Sequence, residues 1–148
     1  MTFEIWKPPA LGQPAGQEYT DAERKIDRKC WNLQTVQEAL AAGQLTVELT
    51  AGCQEVMLQE LGWSSSEVIA FIQRLHKARY LDSEWCLPSK KSHANVPWMA
   101  ADTYFMGFDR IKGIENQRRD PWVYFKFTVR ANTLKLLVFS LHEEHDPK

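Results

Sequence analysis

The chain has 148 residues, of which 44% are hydrophobic and 25% charged, and a formal net charge of −1. That length suits one domain able to bury close to ~70% of its unfolded surface without disulfides or a metal, and no stretch approaches the ~20 apolar residues of a membrane span. Charge is uneven along the chain, with 8 Lys and Arg against 12 Asp and Glu through Cys86 and 10 against 7 from Leu87 onward, so the small total does not exclude a nucleic-acid partner, which responds to local potential.

Residues 1–27 are expected to form an irregular N-terminal arm, and residues 28–148 a single α+β domain. In "MTFEIWKPPALGQPAGQEYT" Pro, Gly and Gln break any periodicity, and Phe3, Ile5 and Trp6 are the side chains that would dock the arm. The opening lacks the basic start and apolar run of a signal peptide. Cys30, Cys53 and Cys86 are odd in number, widely spaced and without a C-x-x-C pair, which argues against a disulfide framework and a structural zinc site. Scattered thiols suit a reducing cytosol, and a cytoplasmic protein is expected.

Three helices come first. "NLQTVQEALAAGQ" has Asn32 as N-cap, Leu33, Val36 and Leu40 at helical spacing, and Gly43 as a stop. "TAGCQEVMLQELG" has Thr50 as cap, Cys53, Val56, Met57 and Leu61 on one face, and Gly62 as its end. In "WSSSEVIAFIQRLHKA" Ser64 and Glu67 form a capping box, Trp63 and Val68 a hydrophobic staple, and Val68, Ile72 and Leu75 face the core, with the helix ending near Lys77.

From Arg79 onward, "RYLDSEWCL", "WMAADTYFMGF", "PWVYFKFTVR" and "TLKLLVFSLH" are aromatic and β-branched and predict strands. Helices followed by strands indicate N-terminal helices packed on one face of a C-terminal antiparallel sheet. The connecting "PSKKSHANVP" and "DRIKGIENQRRD" read as polar, basic loops. "ANT" at 131–133 is the expected turn of the last hairpin. Alternation then puts Val123, Phe125, Phe127 and Val129 on one face and Tyr124, Lys126, Thr128 and Arg130 on the other. On the following strand it groups Leu137, Phe139 and Leu141 against Leu136, Val138, Ser140 and His142.

Phosphate-loop, H-E-x-x-H and G-x-S-x-G signatures are absent from the sequence. "HEEH" at 142–145 lacks the i, i+4 spacing of helical zinc ligands, so neither a metal nor another cofactor is expected. His142, Tyr124 and Lys126 supply what metal-independent RNA cleavage needs: a proton-transfer group, an orienting or donating phenol and a cation for the charge developing on phosphorus. A satisfied surface histidine is the plainer use of the same residue. Tyr104 and Trp122 suit base stacking or core packing.

The segment from Arg28 to His145 resembles the MqsR family of toxins. "VQEALAAGQL", "TAGCQEVMLQELG" and "EVIAFIQRL" are similar to the family's three helices in order. "RYLDS" is similar to its F-Y-K-S, Trp98 to Tyr104 to W-Q-D-V-Y, "VYFKF" to V-Y-[LI]-K-[IL], and "LLVFSLHEE" to the closing L-[IV]-V-S-F-K-E. The resemblance implies a RelE-like fold and a metal-independent endoribonuclease that cleaves mRNA, with a preference for GCU-type sites, and is neutralised by a cognate antitoxin. It carries the family's tyrosine onto Tyr124, with Lys126 retained, and its closing lysine onto His142. The glutamine position falls on Met99 or within a two-residue insertion, and the lysine of F-Y-K-S on Leu81 or Asp82, or on Lys91 if an insertion lies earlier.

The expected function is therefore that of a type II toxin inhibiting translation and growth, with Tyr124, His142, Lys126 and Lys91 acting on single-stranded RNA, free or on the ribosome. Arg130, Arg118 and Arg119 would hold the phosphate backbone, and Tyr104 would stack on a base. The departures at Met99 and Leu81 or Asp82 favour the alternative, a noncatalytic RNA- or protein-binding module on the same fold.

Overall fold

The computed structural model describes residues 25–86, 99–109, 111–116, 122–130 and 134–144, with only the backbone of 143 and 144. Lys91, Arg118, Arg119, His145 and the expected turn at 131–133 lie outside the described residues. The described elements are α+β, with three helices and a seven-stranded, mostly antiparallel sheet.

The helices begin and end where local chemistry puts them. Helix α1 (Leu33–Ala41) starts at Asn32, whose side chain accepts from the Thr35 N–H at 3.0 Å, which removes one of the unpaired N-terminal donors. Gly43 follows at φ +74. Helix α2 (Ala51–Glu55) is capped by Thr50 and continues as a π-helical stretch, Val56–Leu61, ended by Gly62 at φ +66. Such wider turns were not legible in the pattern, because Met57 and Leu61 remain buried in either geometry. Helix α3 (Ser65–Gln73) carries the expected capping box between Ser64 and Glu67. It stops earlier than expected, and a 3-10 turn (Leu75–Lys77) brings Leu75 into the core.

Strand β1 (Lys25–Ile26) pairs antiparallel with β3 (Arg79–Cys86), so the end of the expected arm belongs to the sheet. Strands β4 (Met99–Asp109), β6 (Trp122–Arg130) and β7 (Lys135–Glu144) follow in antiparallel order. Two elements correct the sequence reading. Strand β2 (Thr46–Leu49) lies parallel beside β7, so the sheet is not purely antiparallel. Strand β5 (Ile114–Glu115) pairs with β4 inside a segment expected to be loop. It is fixed there by Arg74, whose guanidinium donates to both Glu115 carboxylate oxygens at 2.8 and 2.9 Å. The order across the sheet is β1-β3-β4-β6-β7-β2.

Val123, Phe125, Phe127 and Val129 are buried as their alternation predicted. They share one core with Val36 and Ala39 of α1 and Val68, Phe71 and Ile72 of α3. Phe71 is the hinge of that packing, with ring centroids 5.4 Å from both Phe125 and Phe108 and 5.5 Å from Trp63. Fully burying each such ring stabilises the fold by roughly 1.5–3 kcal/mol.

Candidate functional site

The site sits on the sheet face turned away from that core, and one irregularity creates it. Along β6 and β7, Lys126 stands opposite Ser140 while the next residue, Phe127, stands opposite Val138. Phe139 is therefore an extra residue on β7, a β-bulge. Simple alternation would put Ser140 and His142 on the same face as Leu136 and Val138. The bulge reverses it: Leu136, Val138 and Leu141 are buried in the core, and His142 is exposed on the face of Tyr124 and Lys126. This corrects the expected grouping of β7, because a one-residue slip exchanges every side chain between faces.

Tyr124 and His142 are direct cross-strand partners. Their rings stack, with centroids 4.9 Å apart and planes 25° from parallel. On its other side Tyr124 meets Phe105 of β4 at 4.7 Å, and Phe105 stacks on Trp122 at 5.3 Å. Trp122, Phe105, Tyr124 and His142 thus form an aromatic tract across three strands, with His142 as its exposed end. Cross-strand aromatic pairs contribute roughly 0.2–1 kcal/mol each beyond Ala pairs. Phe105 is buried within it and Trp122 and Tyr124 are half-buried, so His142 is the ring that offers an open π-face to an unpaired base.

Lys126 is half-buried, and its ammonium donates to the Glu84 carboxylate of β3. Arg130 lies on the same face, but six residues along β6 from Tyr124, roughly 20 Å at the usual strand rise. Its guanidinium is 3.8 Å from Glu48 of β2, which Lys135 approaches at 4.0 Å. Tyr104, expected to stack on a base, belongs to the core: it is 2% exposed, packs edge-on against Tyr80 at 5.7 Å and stacks on Phe127 at 6.2 Å. Among the described residues its hydroxyl has no hydrogen-bond partner, and burial, followed by the Asp102 charge, pushes its pKa well above the usual phenol range. Lys91, Arg118 and Arg119 cannot be placed on this face from the described residues.

Sequence reading missed two acids. Glu84 follows Asp82 by two residues on β3, so the alternation of acids was visible, but its pairing with Lys126 across β4 was not. Asp102 is fully buried. It accepts from the Cys30 N–H at 2.9 Å, the Trp31 N–H at 3.0 Å and the Ser83 hydroxyl at 2.6 Å. The Tyr80 and Ser83 hydroxyls are 2.5 Å apart. Burial, then the Asp102 charge, pushes the Cys30 thiol up to about 12. This cluster ties the segment before α1 to β4; every acceptor role of Asp102 goes to the chain itself, so it reads as a structural latch.

Among the described residues no three His, Cys, Asp or Glu side chains converge as metal ligands. No described helix is long and apolar enough to cross a membrane. A cleft of ≈ 650 Å³ lies at the β1 and β3 edge, lined by Lys25, Ile26, Asp27, Asp82, Ser83 and Glu84. It shares Asp82 and Glu84 with the Tyr124 face, since these stand opposite Thr103 and Ala101, and among the described residues it presents more acids than bases to a ligand. The chain matches no family model, no curated protein and no solved structure.

Proposed function

We propose that this protein is a metal-independent endoribonuclease with an MqsR-like, RelE-like fold, the toxin of a type II toxin-antitoxin system that cleaves mRNA in the cytoplasm and is neutralised by a cognate antitoxin. The observation that carries this reading is the stacked pair of Tyr124 and His142 on the sheet face opposite the core, with Lys126 on the adjacent rung. Helices packed against a sheet whose other face bears the polar groups accord with it. In the reaction the RNA 2′-hydroxyl attacks the adjacent phosphorus. One group removes its proton, and another returns a proton to the departing 5′-oxygen, leaving a 2′,3′-cyclic phosphate and a 5′-hydroxyl. Histidine is suited to such transfer near neutrality. Tyr124 orients the phosphate or donates to it, and Lys126 offsets charge on the phosphorane.

The test is incubation of the purified protein with mixed-sequence RNA, naked and ribosome-bound, in EDTA. Fragments ending in 2′,3′-cyclic phosphate support the reading, and their absence from both substrates overturns cleavage. A second reading, a noncatalytic RNA- or protein-binding module on the same fold, is favoured by one observation: Lys126, Arg130 and Lys135 each lie beside a carboxylate of the same face, which offsets the positive charge that a cleavage site would bring to the phosphate. Binding of the same RNA without cleavage would establish it.

A further inference from the structure

The placement of Lys126 bears on how the Tyr124 face would be controlled. Along β4, Ala101, Thr103 and Phe105 mark three successive rungs of this face. Glu84 is level with Ala101, Lys126 with Thr103, and Tyr124 with Phe105. To reach Glu84, the Lys126 side chain crosses β4 diagonally toward Ala101, the direction opposite to Tyr124 and His142. The cation closest in sequence to the aromatic pair is thus turned away from it. Both partners are substantially buried, with side-chain exposures of 19% and 22%, so water and salt screen this pair less than a surface ion pair.

We propose that Glu84 is an autoinhibitory counter-charge: it holds Lys126 off the Tyr124 and His142 pair in the RNA-free protein, and a phosphodiester must displace it to recruit the ammonium. This rests on the reading of the face as an RNA site. Lysine suits the exchange, being a point charge on a flexible four-carbon stem that can swing from one anion to another along the strand. RNA binding is therefore weaker and less salt-dependent than an uncompensated Lys126 would give.

The experiment uses the full chain and a fluorescein-labelled, mixed-sequence single-stranded RNA carrying 2′-O-methyl groups, which cannot be cleaved, with anisotropy read over a range of salt. Glu84→Gln is expected to tighten binding about fivefold and to steepen the slope of log K against log salt by about 0.7, one added phosphate contact on a single strand. Both effects should vanish when Lys126→Gln is combined with it. Unchanged or weaker binding in Glu84→Gln, or tightening that persists in the double variant, overturns the counter-charge role while leaving the RNA site standing. No binding by either the wild-type protein or Glu84→Gln overturns the RNA site and the proposal together. Should Glu84→Gln fail to fold by circular dichroism, Glu84→Asp, a shorter carboxylate with a weaker hold on Lys126, is measured instead, with the same direction expected and the same reversal overturning it.

Discussion

His142 lies against Tyr124, ring centroids 4.9 Å apart, because Phe139 is set out of the β6 and β7 ladder. Deleting Phe139 makes Ser140 follow Val138 directly, so the ladder becomes regular while Leu141 stays in the core and Ser140 and His142 keep the outward face. Urea unfolding of the deletion variant is therefore expected to show a loss of no more than about 1–2 kcal/mol, with RNA cleavage retained. A folded deletion variant without cleavage would show that Phe139 contributes more than the phase of β7.

His142 is exposed and holds no part of the core, so its removal separates chemistry from folding. His142→Ala is expected to lower the cleavage rate about 10²–10⁴-fold, the usual worth of a positioned proton-transfer group, and to relieve growth arrest on expression. Its unfolding midpoint should stay near that of the wild type, since only one stacking partner is lost. Full toxicity in a folded His142→Ala protein removes His142 from the mechanism.

The elements that sequence reading recovered are those written locally. Asn32, Thr50 and the Ser64 and Glu67 pair cap their helices within three residues of themselves, and Gly43 and Gly62 end helices because each adopts a left-handed conformation. The four long strands were visible as aromatic and β-branched runs. What escaped was set by register between distant segments. Strand β2 is four residues whose only claim to strand is the edge of β7 it pairs with. The Phe139 bulge has no signal in its own composition. Without the bulge the face of Ser140 and His142 could not be assigned, and without the β3 to β4 register Glu84 could not be brought to Lys126.

Asp102 shows how much stability such a nonlocal contact carries. Its carboxylate is fully buried and serves two backbone donors and the Ser83 hydroxyl. Asp102→Ala leaves those donors unpaired in the interior, and a loss of about 3–5 kcal/mol is expected by urea unfolding. Hydrogen exchange at the Cys30 and Trp31 amides should accelerate most, because the segment before α1 loses its tie to β4. A loss below about 1 kcal/mol would mean that water replaces the carboxylate without penalty.

The Cys30 thiol gives a pH signature. Its folded pKa is raised to about 12, by burial first and the Asp102 charge second, whereas an unfolded cysteine titrates near about 8.5. A raised value means the folded chain holds the proton more tightly than the unfolded one. Its contribution is therefore fully present below about pH 8.5 and is lost as pH climbs toward the folded value. Stability measured by urea unfolding should fall across this alkaline window, and Cys30→Ala should flatten the fall. Equal slopes in the two proteins would show that other groups dominate. Iodoacetamide should also modify Cys30 slowly at neutral pH, since the thiolate is the reactive form.

Tyr104 offers the sharpest separation of core from site. Its ring is packed between Tyr80 and Phe127, and among the described residues its buried hydroxyl has no partner, so the oxygen is stripped of water without a hydrogen bond in return. Tyr104→Phe keeps the ring and deletes the unsatisfied group. Because an unpaired buried hydroxyl costs about 1–3 kcal/mol, the variant is expected to be more stable by about 1 kcal/mol, with unaltered RNA binding and cleavage. A base-stacking tyrosine on the RNA face would not behave so: its replacement by Phe would leave stability unchanged, and its replacement by Leu would weaken RNA binding selectively. Thermal unfolding of Tyr104→Phe, read beside RNA anisotropy of Tyr104→Leu, therefore assigns the residue. A rise in Tm for the first, and for the second a loss of stability that accounts for any loss of binding, is the outcome expected of a core tyrosine.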